Sequence, residues 1–232
     1  MCVFRKTILQ AGYFRKSLLN KFMLRVDTKN PILAVLIGLY GWIFGILFWG
    51  FCKCWTLTLK LKGTEERDTL LDSRYVLVLW HEDLILFFLS FPKLSNQIWM
   101  NHPAWFMKPI HVTLYLLGVR NLALGSSGNS GKEALAMVVE SVRAGMNTVV
   151  AVDGPAGPPK VMKPGAILMS QQTGIPLRSL SYTCERYYRL GGWDYKLVPK
   201  LFSKVEMHLG PPIHIGAENE ITQTLMDKLL KP

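Results

Sequence analysis

His81 is followed at once by Glu82 and Asp83, and the three close an apolar run, Tyr75-Val76-Leu77-Val78-Leu79. A short run rich in Val and Leu reads as a strand buried on both faces. In an open α/β sheet, ligands bind beyond the carboxyl ends of the strands. A histidine at that edge, with a carboxylate one or two residues away, is a candidate general base and its orienter. The competing reading is a polar surface turn. A second polar stretch follows a strand expected over 119–124: Gly125-Ser126-Ser127-Gly128-Asn129-Ser130-Gly131, with Lys132 opening a helix. Glycines let backbone N–H groups approach an anion, and a helix N-terminus adds its dipole. Gly125, Ser126, Ser127 and Lys132 are the groups that would form a phosphate cradle; the competing reading is a hinge with Ser130 as cap. A third stretch, Asp153-Gly154-Pro155-Ala156-Gly157-Pro158-Pro159-Lys160, follows the apolar run 147–152. Three prolines in eight residues stiffen it, so Asp153 and the Gly154 amide are expected in fixed geometry beside Lys160 and Lys163.

Other chemistries lack their spacing. There is no GxSxG elbow for a serine hydrolase, no P-loop or dinucleotide fingerprint, and no HExxH-type pair. Cys52 and Cys54 stand as CxC with no second pair, so no metal site is expected.

The three stretches need strands to hold them at one edge. Alternating residues over 56–62 predict a half-buried strand, and 63–72 a polar connection. Further strands are predicted over 75–79, 97–100, 119–124, 147–152, 175–182 and 203–209. Helical spacing runs over 103–117, with Pro109 as a possible kink, and over 132–143, 165–172 and 218–230. Strand and helix alternate, so the fold class is α/β with a mostly parallel central sheet flanked by helices.

Charge and hydropathy divide the chain. It has 232 residues, a formal net charge of +11 and a mean hydropathy of +0.20. Ten Lys/Arg against the single acid Asp27 put +9 on residues 1–62. Residues 3–26 read as a basic amphipathic helix for a lipid interface. Residues 32–52 then run 21 residues without a charge, the length of a membrane-anchoring helix. Gly41 and Gly45 carry the small-residue spacing of packed helices. The domains expected are therefore 1–55, an anchor, and 56–232, the α/β domain. A nucleic-acid partner is not expected, because the domain itself carries only +4, and only +2 beyond residue 62.

Taken in order, the three stretches resemble the glycerolipid and lysophospholipid acyltransferase superfamily, most closely its DUF374-like branch. The residues that carry the resemblance are Leu79-Trp80-His81, Leu117 through Gly131, Val152 through Pro158 with Lys163-Pro164-Gly165, Thr173 through Leu177, Trp193-Asp194 and Val198 through Ser203. It implies a membrane enzyme of phospholipid biosynthesis that moves an acyl group from acyl-CoA or acyl carrier protein to a lysophospholipid-like acceptor, without a bound cofactor. His81 would be the base. The glycine–serine loop would hold the acceptor's phosphate, and the loop carrying Asp153, Gly154, Pro155 and Lys160 would position substrate and oxyanion. A bacterial-type inner membrane, with the catalytic domain on the cytoplasmic side, is the implied location. The superfamily's acid, five residues after the histidine, is replaced here by Leu86, so Asp83, or failing it Glu82, is expected to take its place. Leu124 and Ala156 stand where the branch carries arginines, with Arg120, Lys132, Lys160 or Lys163 as replacements. The alternative is a silent lipid-binding protein on the same fold.

Overall fold

A computed structural model describes residues 24–126 and 130–216. The amphipathic helix expected ahead of residue 24, Ser127 and the C-terminal helix expected over 218–230 lie outside the described residues.

The apolar run folds as helix α1, Pro31–Thr56. Asn30 starts it, its side-chain oxygen accepting from the amides of Ile32 at 3.0 Å and Leu33 at 3.2 Å, with Pro31 at the first helical position. Its 26 residues are long and apolar enough to cross a membrane, by length and composition. Ile32, Val35, Leu39, Ile43, Leu47 and Phe51 leave more than half of their surface exposed.

The opposite stripe, Ile37, Gly41, Gly45 and Cys52, is buried. Gly41 and Gly45 bring α1 against helix α4, Lys108–Leu117, of the same chain. A Cβ at Gly45 would lie 2.6 Å from Val112 Cβ and 2.9 Å from the Pro109 carbonyl oxygen. The Thr113 hydroxyl donates to the Gly45 carbonyl at 3.2 Å. The small-residue pair thus serves a contact within the chain. Gly45→Leu is expected to destabilise the fold by about 1–3 kcal/mol through overpacking, read as a lowered denaturant midpoint in detergent. Gly38→Ala is the control, since nothing lies within 4 Å of a Cβ there. At its C-terminal end α1 enters the main core, where Cys52 is buried and Phe48, Trp49 and Trp55 pack around it. Helix and domain therefore share one core across the boundary expected at residue 55.

Because α1 runs through Thr56, the strand expected over 56–62 is confined to β1, Lys60–Lys62. The connection expected over 63–72 is helix α2, Thr64–Leu71, whose first turn carries Glu65 and Glu66 where the helix dipole favours acids. Then come β2 (Val76–Leu79), a 3₁₀ turn (His81–Asp83), α3 (Leu84–Ser90), β3 (Ile98–Asn101), a second 3₁₀ turn (Trp105–Met107), α4, β4 (Asn121–Leu124), α5 (Gly131–Arg143), β5 (Thr148–Ala151), α6 (Gly165–Thr173), β6 (Leu177–Cys184), β7 (Tyr187–Arg189), β8 (Leu197–Pro199) and β9 (Lys204–Leu209). Pro109 falls in the first turn of α4, where it breaks no bond, so there is no kink. The antiparallel pair β7–β8 was not expected from the sequence pattern.

The main sheet has the order β1-β9-β6-β2-β5, parallel except where β6 meets β9. The parallel pair β3–β4 continues it beyond β5 through a bridge from Gln97 to Asn147. Successive strand residues point to opposite faces. Tyr75, Leu77 and Leu79 enter the core under α1, α3 and α4, and Val76 and Val78 the core under α5 and α6. The result is helices on both faces of a mostly parallel sheet, the α/β class read from the pattern. Ahead of α1, the Val26 amide donates to the Pro103 carbonyl and the Trp105 amide to the Leu24 carbonyl, so residues 24–26 are extended and not helical.

Candidate active site

β2 and β5 lie side by side in parallel, with Leu79 opposite Ala151. Each strand ends there. Two residues further on, at the carboxyl edge, the same register brings His81 to Asp153. The Asp153 Oδ1 accepts the His81 Nδ1–H at 2.8 Å and the His81 backbone N–H at 3.0 Å. The Nδ1 proton is assigned by this bond, since a carboxylate only accepts; in the neutral form of the ring the lone pair then sits on Nε2. The Lys160 amide reaches the other oxygen, Oδ2, at 3.3 Å. Asp153 is 1% exposed, and burial alone would raise its pKa. The ring hydrogen bond, the charge of His81 and the two backbone amides outweigh that, and its carboxyl is held below the usual carboxylate value.

The carboxylate bonded to the His81 ring is therefore Asp153 and not the expected Asp83. Asp83 is 3% exposed and makes no side-chain hydrogen bond among the described residues. Burial, reinforced by the charge of Glu82, pushes its pKa up to about 7, against a weaker lowering by Lys160. It caps α3 by position only, with no side-chain bond.

Glu82 has a different task. It accepts from the Lys160 ammonium and, at 3.4 Å, from Arg189 of β7. The Lys160 ammonium also lies 5.3 Å over the Trp80 ring. Lys160 thus ties the loop to the turn after β2, and its charge is matched within the protein, not left for a substrate. The loop itself needs left-handed backbone at Gly154 and Gly157. A Cβ at Gly157 would lie 2.6 Å from Trp193, whose ring packs on His81 with centroids 5.0 Å apart. The Gly154 amide is expected at an oxyanion, but it donates to the Ala151 carbonyl at 3.2 Å to close the turn. Pro155 follows in that turn.

The glycine–serine loop lies at the same edge. Asn101 pairs with Leu124, and the Gly125 amide donates to the Asn101 carbonyl at 2.9 Å. Two strand spacings separate β4 from β5, about 10 Å, and no hydrogen bond among the described residues joins this loop to the His81–Asp153 pair. Gly125 is required by packing, since a Cβ there would lie 2.5 Å from that of Ala134. Ser126 is 5% exposed and its hydroxyl has no hydrogen-bond partner among the described residues. Lys132 is exposed on the first turn of α5. Among the described residues, no three His, Cys, Asp or Glu side chains gather as a metal site would need.

Trp193, Arg189 and the pairing role of Glu82 are the site features that the sequence pattern did not reveal. Trp193-Asp194 stood out only through the resemblance.

No family model matches the chain. An uncharacterised protein of Rickettsia prowazekii is 23% identical over 156 residues, covering 67% of this chain and 71% of that protein. Among solved structures, the 1-acyl-sn-glycerophosphate acyltransferase PlsC of Thermotoga maritima aligns over 97% of this chain and 88% of its own, at 15% identity and a TM-score of 0.46.

Proposed function

We propose that the protein is a membrane-associated O-acyltransferase of the DUF374-like type, which moves a fatty acyl group from acyl-CoA or acyl carrier protein to the hydroxyl of a lysophospholipid-like acceptor. The observation that carries this reading is the His81–Asp153 pair at the carboxyl edge of β2 and β5. With Nδ1–H held by Asp153, Nε2 takes the proton of the acceptor hydroxyl. The oxygen attacks the thioester carbonyl and a tetrahedral intermediate forms. Its collapse breaks the C–S bond, and the imidazolium returns the proton to the leaving thiolate. Asp153 stabilises the imidazolium formed on the way. The buried, unpartnered hydroxyl of Ser126 favours a polar headgroup over the glycine–serine loop. The exposed apolar face of α1 favours an acceptor drawn from a bilayer.

The test is acyl transfer from labelled acyl-CoA or acyl carrier protein to lysophospholipid in vesicles, with wild type beside His81→Ala. Turnover is expected in the wild type alone, and equal turnover in both proteins would sink the assignment. A silent lipid-binding protein is the second reading. It is favoured by one observation, the pairing of Lys160 with Glu82, which withdraws one of the expected cations from a phosphate. Lipid retention without turnover, unchanged in His81→Ala, would select it.

A further inference from the structure

Lys200, Leu201, Phe202 and Ser203 form a tight turn between β8 and β9, closed by the Ser203 amide on the Lys200 carbonyl at 3.2 Å. Phe202 stands at its tip with φ +59°, left-handed backbone that favours glycine. Its ring is 67% exposed, and Leu201 beside it is 49% exposed. A bulky aromatic residue held in that backbone and turned to solvent runs against both conformational and solvation preference. The surroundings hold it there. Ser203 is fully buried and its hydroxyl accepts the Arg186 amide at 3.0 Å, while the Arg186 guanidinium reaches the carbonyls of Leu201 and Phe202 at 3.4 and 3.3 Å.

Beside the apolar tip stand Tyr187 and Tyr188 of β7, paired with Pro199 and Val198 of β8 and both exposed. Lys200 lies 4.6 Å over the Tyr188 ring. Of the cations in this region, Arg189, Lys196 and Lys204 pair with Glu82, Asp194 and Glu206. Arg186 and Lys200, the two that flank the tip, have no carboxylate partner among the described residues. An apolar tip followed by tyrosines and unpaired cations is the order of chemistry met on crossing a lipid interface from hydrocarbon to headgroup. An acidic protein partner would match the cations but would leave the Phe202 tip unaccounted for.

We infer that the Leu201–Phe202 turn is a second membrane contact, which inserts its apolar tip into a bilayer containing anionic lipid and seats Arg186 and Lys200 at the headgroups. The surface borders the catalytic pair, since Arg189 of β7 binds Glu82 next to His81 and Trp193 packs on the His81 ring. The inference extends the lipid-acceptor reading, but its test needs no turnover. In full-length Phe202→Trp, emission in excess of wild type at matched concentration reports the added indole. With vesicles containing phosphatidylglycerol, the expected result is a blue shift and the loss of most of this excess to lipids brominated just below the headgroup, with protection from aqueous iodide. Adding Lys200→Glu should weaken that loss. Excess emission that stays open to iodide and blind to brominated lipid overturns the contact. So does a response to acyl carrier protein in the absence of lipid with none to vesicles, which would assign the surface to a protein. Absent turnover in the acyl-transfer assay, with the quenching intact, would sink the enzymatic reading and leave the contact standing.

Discussion

Asp153→Asn is expected to lower the rate of acyl transfer about as far as His81→Ala, by roughly 10²–10⁴-fold. Asparagine nearly matches aspartate in shape, so the loop stays closed, but its amide cannot stabilise a charged ring. Its NH₂ can also turn toward Nδ1 and favour the wrong tautomer, which moves the proton to Nε2 and removes the base. Because both residues act on one proton, the double variant is expected to lose little more than either single one. Asp83→Asn supplies the contrast. Asp83 makes no bond to the ring, and its rate should remain close to wild type. Single-turnover assays on the four proteins decide between the two carboxylates, and a large loss confined to Asp83→Asn would return the orienting role to the neighbour in sequence.

The same Asp83 should control stability strongly. Its carboxyl titrates near 3.8 unfolded and near 7 in the fold, because burial and the charge of Glu82 disfavour its ionised form. Below about pH 4 both states hold the proton and the group is neutral in its effect. From there to pH 7 the unfolded chain gives up its proton while the folded chain keeps it, so stability falls as pH rises through this window and levels off above it. Three pKa units correspond to on the order of 4 kcal/mol. Asparagine never ionises. Asp83→Asn is therefore expected to unfold with wild type near pH 4 and to be more stable by that amount at pH 8, as read by denaturant melts in detergent. A constant difference at all pH values would show that Asp83 is not held neutral.

These two carboxylates also mark how far the sequence could be read. His81 was legible, because an apolar run that stops at a histidine is a local pattern. Its partner was not, since Asp83 is two residues away and Asp153 lies 72 residues on. Yet a signal was present. Val76-Leu77-Val78-Leu79 and Thr148-Val149-Val150-Ala151 are runs of equal length, each followed by one residue and then by His81 or Asp153. If the two strands pair in parallel and in register, the dyad follows. Strand neighbours are chosen by the packing of the whole sheet, which no single run displays. The α/β alternation was legible for the same local reason that His81 was. The short pair β7–β8 was not, because its exposed three-residue strands carry no alternation to detect. Lys160 and the Gly154 amide were read as free to meet a substrate, and both have partners inside the protein, Glu82 and Ala151.

One consequence follows from how α1 is attached. Only three residues separate its end at Thr56 from β1 at Lys60, the stripe through Gly41 and Gly45 packs on α4, and residues 24–26 are bonded to 103–105 on the other side. There is no tether on which the domain can swing. Were α1 seated in lipid, the height of His81 above the bilayer would be a constant of the molecule, like the stylus on a fixed arm. Acceptors would then be sorted by how far their hydroxyl stands out of the membrane before any headgroup contact is made.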